Sequence, residues 1–269
     1  MREVTERTIA IEELPYFLRE APYSGTPVLY VHGVPTSSRD WLPFLERTGG
    51  IAPDLPGFGR SAKRGDLDYS IPGYDRFLEL LLAHVGVDRF SLVAHDWGAA
   101  GLALAQRRPE RVERLVLIDA VPLLAGFEWH RLGRLWRKPI IGELTLGLTG
   151  RHSLRHVTKR ANVTPGPLPE DMLDAMLTDL DPGTQRAILL LYRSAPSESL
   201  AAAGAHLDRI TAPALVVWGA RDPYLPVEFA ERYAEALPHA ERWEVPDAGH
   251  WPWLDQPAVI DRVTAFLSG

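Results

Sequence analysis

The sequence predicts an α/β protein: a mostly parallel central sheet flanked by helices, with one helical insert acting as a lid. Three observations predict it. Short apolar runs of strand type alternate with stretches of helical period over most of the 269 residues, as expected of strands joined by crossover helices. One of these runs, Phe90-Ser91-Leu92-Val93-Ala94, passes through the sharp turn His95-Asp96-Trp97-Gly98 into Ala, Gly and Leu at helix-like spacing. Between about Val121 and Leu207 the alternation stops, and only helical pieces broken by Pro and Gly remain. The expected division is a core of residues 1–121 and 208–269 and a helical lid of 122–207.

Taken in order, Thr8–Ile11 and Tyr16–Arg19 read as two strands about a short polar turn. Pro27–Val31 is a continuous apolar run, fit for a strand buried on both faces, and it meets a tight turn at His32-Gly33-Val34-Pro35. Asp40–Leu45 reads as a short helix. Gly50–Asp54 reads as a strand that enters the Gly-rich loop Leu55–Ser61; no Gly-Lys-Ser/Thr follows, so this is a structural turn, not a phosphate loop. Phe77, Leu78, Leu81, Leu82 and Val85 share one helical face. Val112–Asp119 is another buried strand. Within the insert, breaks fall at Thr164–Pro169 and Asp181-Pro182-Gly183. Pro213–Gly219 restores the strand pattern and ends in Ala220-Arg221-Asp222. A helix follows through Phe229, Tyr233 and Leu237. Arg242–Val245 is the last strand, ending in Asp247-Ala248-Gly249-His250, and a helix from about Pro257 to Leu267 closes the chain.

Composition narrows the function classes. A hydrophobic share of 46% and a charged share of 24% are ordinary for a globular protein. A formal charge of −6 offers no basic patch for nucleic acid. There is no cysteine, which excludes disulfides and thiol catalysis. No apolar run approaches the length of a membrane span, and the N-terminal residues lack the form of a signal peptide. A cytoplasmic protein is expected, with no membrane or nucleic-acid partner, no cofactor and no metal; the sequence does not define its oligomeric state.

Strand, tight turn and helix around Asp96 form the context of a nucleophile elbow. Ala94 and Gly98 supply the small residues that its close backbone approach requires. The central residue is Asp, not Ser, and this changes the chemistry. A carboxylate is a poor acyl nucleophile at neutral pH because it is also a good leaving group. It can displace a leaving group from a saturated carbon, forming an alkyl ester that a second step must hydrolyse. The alternative is that Asp96 merely caps the following helix.

Asp96, Asp222 and His250 all follow predicted strands at their carboxyl ends, where open α/β sheets bind ligands. Nucleophile, acid and histidine in that order resemble the α/β-hydrolase superfamily over essentially the whole chain. Within it, His32-Gly33-Val34-Pro35 and His95-Asp96-Trp97-Gly98, with Gly219-Ala220-Arg221-Asp222-Pro223 and Gly249-His250, resemble the branch of epoxide hydrolases and haloalkane dehalogenases. The resemblance implies that Asp96 attacks, that His250 activates the water, and that Asp222 orients His250. It implies that the backbone N–H groups of Val34 and Trp97 form the oxyanion hole. Asp119 is the rival acid, since some haloalkane dehalogenases place theirs after that strand.

The leaving group separates the two leading functions. An epoxide oxygen leaves as an alkoxide and needs a proton donor, which epoxide hydrolases usually take from two lid tyrosines. A halide needs only N–H donors. The insert has one tyrosine, Tyr192, whose setting resembles the second lid tyrosine; a histidine replaces the first in some bacterial epoxide hydrolases, so His152 or His156 is expected to pair with it. For a halide, Trp97 with Trp129 or Trp136 would serve, although Val34 stands where many dehalogenases carry Asn. His32 and His95 read as turn-shaping residues. The expected substrate is a small apolar epoxide or organohalide, held near His32, Pro35, Trp97, Trp129, Trp136 and His152. A Ser-type esterase is disfavoured by Asp96, and a non-catalytic hydrolase-fold binding protein by the complete triad.

Overall fold

The computed structural model describes residues 1–163 and 168–269. The eight strands are β1 (Thr5–Ile11), β2 (Leu14–Ala21), β3 (Val28–Val31), β4 (Gly50–Pro53), β5 (Phe90–Asp96), β6 (Val112–Ala120), β7 (Ala214–Gly219) and β8 (Ala240–Val245). They form one sheet in the order β1-β2-β4-β3-β5-β6-β7-β8. β2 is antiparallel to both β1 and β4; every other pairing is parallel.

Twelve α-helices accompany them: α1 (Leu42–Thr48), α2 (Ile71–His84), α3 (Gly101–Arg107), α4 (Arg131–Trp136), α5 (Ile141–Gly147), α6 (Arg151–Thr158), α7 (Glu170–Asp179), α8 (Pro182–Ser194), α9 (Ser197–Ala203), α10 (Glu228–Ala236), α11 (Pro252–Asp255) and α12 (Ala258–Ser268). The sheet is covered on both faces. Leu92 and Ala94 of β5 pack with α2, α3 and α10, while Val93 packs with α1 and α12. Burial on both sides explains why these strands read as unbroken apolar runs. The edge strand β1 is different: only Ile9 and Ile11 are buried. That is why its pattern predicts a start at Thr8, three residues late.

Helix starts follow local chemistry. The Ser70 hydroxyl accepts from the Gly73 amide at the head of α2. Asp181 accepts from the Thr184 amide at 2.9 Å ahead of Pro182, the first residue of α8. Between β6 and β7 the described residues form α4 to α9 and no strand, as the loss of alternation predicts. Of the predicted break at Thr164–Pro169, residues 164–167 lie outside the described residues. No helix of the described residues is long and apolar enough to cross a membrane.

The chain turns from β3 to β4 on one side and later adds β5 on the other. The carboxyl ends of β3 and β5 therefore flank a topological switch point. His32-Gly33-Val34 leaves one of them and Asp96 ends the other.

Candidate active site

Asp96 sits at φ +49°, ψ −120°, in the left-handed half of backbone space. Holding a non-glycine residue there costs about 1–3 kcal/mol, which surrounding packing must offset. Two glycines make the bend fit. A Cβ on Gly98 would lie 2.1 Å from the Val31 carbonyl oxygen, and one on Gly33 would lie 2.5 Å from Cβ of Asp96.

The Asp96 side chain does not cap the helix that follows. Its Oδ2 accepts the Val34 amide at 2.8 Å, and the Trp97 amide also hydrogen-bonds the carboxylate. Burial raises the pKa of this carboxyl above the ordinary range, opposed by His250 and by those two amides.

His250 follows β8, and its Nδ1 lies 2.7 Å from Oδ2 of Asp222. The other oxygen of Asp222 accepts the amides of Tyr224 at 2.7 Å and Leu225 at 3.1 Å. The backbone thus fixes the acid that fixes the imidazole. Burial by itself depresses the pKa of His250, but Asp222, Asp96 and Asp40 outweigh it and the value rises above 6.5. The ring is boxed by His95 at 4.8 Å, Trp251 at 4.7 Å and Tyr224 at 5.1 Å between centroids.

His95 is fully buried, and burial holds its pKa well below the usual value. Its Nε2 lies 2.8 Å from the His250 carbonyl, which can only accept, so Nε2 carries the proton. His32 is the opposite tautomer: Nε2 accepts the Leu55 amide at 2.9 Å and Nδ1–H donates to the Gly33 carbonyl at 2.7 Å. Both histidines brace turns, and neither lines the cavity.

Above the carboxyl edge lies a cavity of about 400 Å³. Asp96, His250, Val34, Pro35 and Trp251 line its floor, and Trp136, Leu146, Leu154, Val157, Ile188 and Tyr192 of the insert line its walls. Of the residues the sequence assigns to substrate, the structure therefore brings Pro35 and Trp136 to the cavity, where they meet the expected acid Tyr192 with Asp96 and His250; Trp97 packs against Tyr192 outside the lining. The structure does not bring in His152 or His156, which are exposed on α6. Trp129 packs behind Tyr192 at 4.7 Å and stacks on Trp97 at 5.0 Å, with its Nε1 donating to the Ala195 carbonyl.

Two residues that sequence reasoning missed complete the wall. His130 caps α4, its Nδ1 accepting the Gly133 amide at 3.3 Å. Burial, then the nearby His250, lowers its pKa to about 4. It is therefore neutral at pH 7, with Nε2–H as a donor. Tyr224 stands two residues after Asp222, and its hydroxyl donates to the Val157 carbonyl at 3.1 Å. Tyr224 was readable from its place beside the acid; a lone histidine in the insert carries no such signal.

Residues 26–257 match the model of the family described as alpha/beta hydrolase fold. A haloalkane dehalogenase of Mesorhizobium japonicum is 30% identical over 91% of this chain and 85% of its own length. A cis-3-alkyl-4-alkyloxetan-2-one decarboxylase of Xanthomonas campestris pv. campestris is 30% identical over 93% of this chain and 91% of its own. The crystal structure of the haloalkane dehalogenase DbeA from Bradyrhizobium elkani superposes with a TM-score of 0.84 at 27% identity, covering 99% of this chain and 98% of that one.

Proposed function

The chain belongs to the α/β-hydrolase fold family, in the branch of epoxide hydrolases and haloalkane dehalogenases, and from that premise we propose that it opens epoxides to vicinal diols through an ester on Asp96. The observation that carries this reading is Tyr192. Its phenol lines the cavity, buried beside the Asp96 carboxylate and the Trp97 indole. A phenol there supplies what an oxygen leaving group needs and a halide does not.

In the first step a carboxylate oxygen of Asp96 forms a C–O bond to a ring carbon as the ring C–O bond breaks. The electron pair goes to the ring oxygen, which takes the Tyr192 proton. Burial raises the Tyr192 pKa well above 10, yet an alkoxide is more basic still, so the transfer runs downhill. His130 Nε2–H is the second donor, in the role the sequence assigns to His152 or His156. The Val34 amide holds Oδ2 and the Trp97 amide also bonds the carboxylate, and both donate to the oxyanion of the second step.

In that second step His250 takes a proton from water, which attacks the ester carbonyl carbon. The tetrahedral intermediate collapses, the diol leaves with the proton from His250, and the proton left on the Asp96 carboxyl returns to the Tyr192 phenolate, which restores both groups. Asp96 is one of the charges that raise the His250 pKa. Alkylation neutralises that charge, so esterification itself makes His250 a readier base. The insert, residues 122–207, serves as a lid that excludes bulk water. No step calls for a metal or cofactor.

Dehalogenation through the same ester is the second reading. Trp97 Nε1 is buried beside the Tyr192 hydroxyl with no well-formed hydrogen bond, and a halide can take up that donor; two of the relatives above are haloalkane dehalogenases. Against it, Val34 offers no side-chain donor and Trp129 spends its N–H on Ala195. The oxetan-2-one named for the Xanthomonas relative, like an epoxide, contains a strained C–O ring. The deciding experiment incubates His250→Gln with epoxides and matched alkyl bromides and weighs the peptide that contains Asp96. A mass gain from an epoxide supports the proposal; an unmodified peptide with every substrate that the wild type turns over would end it.

A further inference from the structure

A second acid lies behind the first. Asp119 is the penultimate residue of β6 and is fully buried, with its backbone at φ +40°. Its Oδ1 accepts the Gly219 amide at 3.0 Å. Its Oδ2 is buried with no donor to satisfy it. Carboxylate oxygens of Asp119 and Asp222 and a ring nitrogen of His250 all lie within 4.8 Å of one another. Asp222 has already committed both oxygens, one to His250 and one to two amides.

Two ionised carboxylates at this separation, both out of water, repel strongly. A buried ion without a donor is also costly. A single proton on Oδ2 of Asp119 removes both penalties. We infer that Asp119 is held as a neutral acid whose Oδ2–H donates to Asp222, so that the triad acid is a carboxyl–carboxylate pair with one charge and one proton.

The surroundings agree. The groups facing Asp119 are Gly219 of β7, Asp222 of the loop after β7, Asp96 of β5 and, through Asp222, His250. Burial, then the negative Asp222, raises the Asp119 carboxyl well above its ordinary range; the Gly219 amide alone opposes. Asp119 is thus a positioning residue. It steadies Asp222 and keeps the charge of the Asp119–Asp222 pair at one unit, limiting how basic His250 becomes. The sequence poses Asp119 and Asp222 as rivals for one role; here each has its own.

Asp119→Asn is the neutral mimic of this state. Its amide oxygen accepts the Gly219 N–H and its NH₂ donates to Asp222, as the protonated acid does. The variant should fold and leave the NMR titration of His250 unmoved. Its infrared spectrum should lose one C=O band of a protonated carboxylic acid. An ionised Asp119 predicts the reverse: no such band lost, and a His250 pKa lowered by about 1–3 units when the charge is removed. That result overturns the inference. Should the variant not fold, Asp40→Asn decides instead: with Asp40, whose carboxyl burial raises to about 7, removed, a protonated-acid band must persist at neutral pH, and its absence overturns the inference. Neither readout depends on the proposed role of His250 in ester hydrolysis, so failure of that proposal and failure of this one are distinguishable.

Discussion

The indole Nε1 of Trp129 donates a 2.9 Å hydrogen bond to the carbonyl of Ala195. Ala195 ends α8, three residues beyond Tyr192, so this bond ties the segment entering α4 to the helix that presents the phenol. Arg137 reinforces the tie by donating to the carbonyls of both Tyr192 and Ala195. Trp129→Phe keeps the aromatic packing and leaves Ala195 its bond from Arg137. The expected cost is about 1 kcal/mol of stability in urea unfolding, the worth of one hydrogen bond. Alkylation by epoxides and bromides should each fall less than tenfold, since about 1.4 kcal/mol separates a factor of ten. A selective loss of about 10²-fold for bromides would place this indole at a halide instead.

The same bond shows where sequence reading stops. Asp96, His250 and Asp222 were legible because each follows a strand, and the sheet's topology delivers strand ends to one edge. Val34 and Trp97 were legible because backbone amides need only position. The wall of the cavity was not. In the insert, function depends on how short helices pack, and Trp129, Trp136, His130, His152 and His156 look alike as letters. Packing sends Trp136 and His130 to the cavity, spends Trp129 on a carbonyl, and leaves His152 and His156 in solvent. Tyr192 was found through its resemblance to a lid tyrosine, not through any period in the insert.

The two half-reactions should separate with pH. The pKa of His250 is raised above 6.5, so the base is lost as pH falls through that value. The Asp96 carboxyl is also raised, but from 3.8. Alkylation needs only its ionised form and continues until it protonates. Between the two values the ester should therefore accumulate in the wild type. Quenched-flow mass measurement during turnover of a verified substrate should show the adduct fraction growing as pH drops below the His250 value. Turnover that fades with no adduct at any pH would mean that the first step, not the second, is limited by protonation. Single-turnover hydrolysis of the ester should show a lower apparent pKa than NMR gives for His250 in the free enzyme, because the ester no longer carries the Asp96 charge.

Tyr192→Phe and Trp97→Phe discriminate between the two leaving groups. Tyr192 packs edge-on to Trp97 at 5.2 Å and to Trp136 at 4.9 Å, so Phe preserves these contacts and deletes only the hydroxyl. If the leaving atom is oxygen, alkylation of Asp96 by an epoxide should slow by about 10²–10⁴-fold, the usual worth of a positioned acid. The loss sits at the lower end if the His130 Nε2–H shares the load, and Tyr192→Phe with His130→Phe should then exceed either change alone. A bromide leaves without a proton, so its displacement should barely respond to Tyr192→Phe. Trp97→Phe tests the converse, because it removes a buried indole N–H beside Asp96 and Tyr192. Its backbone amide, the part that holds the carboxylate, is untouched. The measurement is single-turnover alkylation by an epoxide and a matched alkyl bromide in the three single variants and the double variant. Epoxide opening at the wild-type rate in Tyr192→Phe removes the phenol from the mechanism; bromide displacement unchanged in Trp97→Phe removes the indole from a halide site.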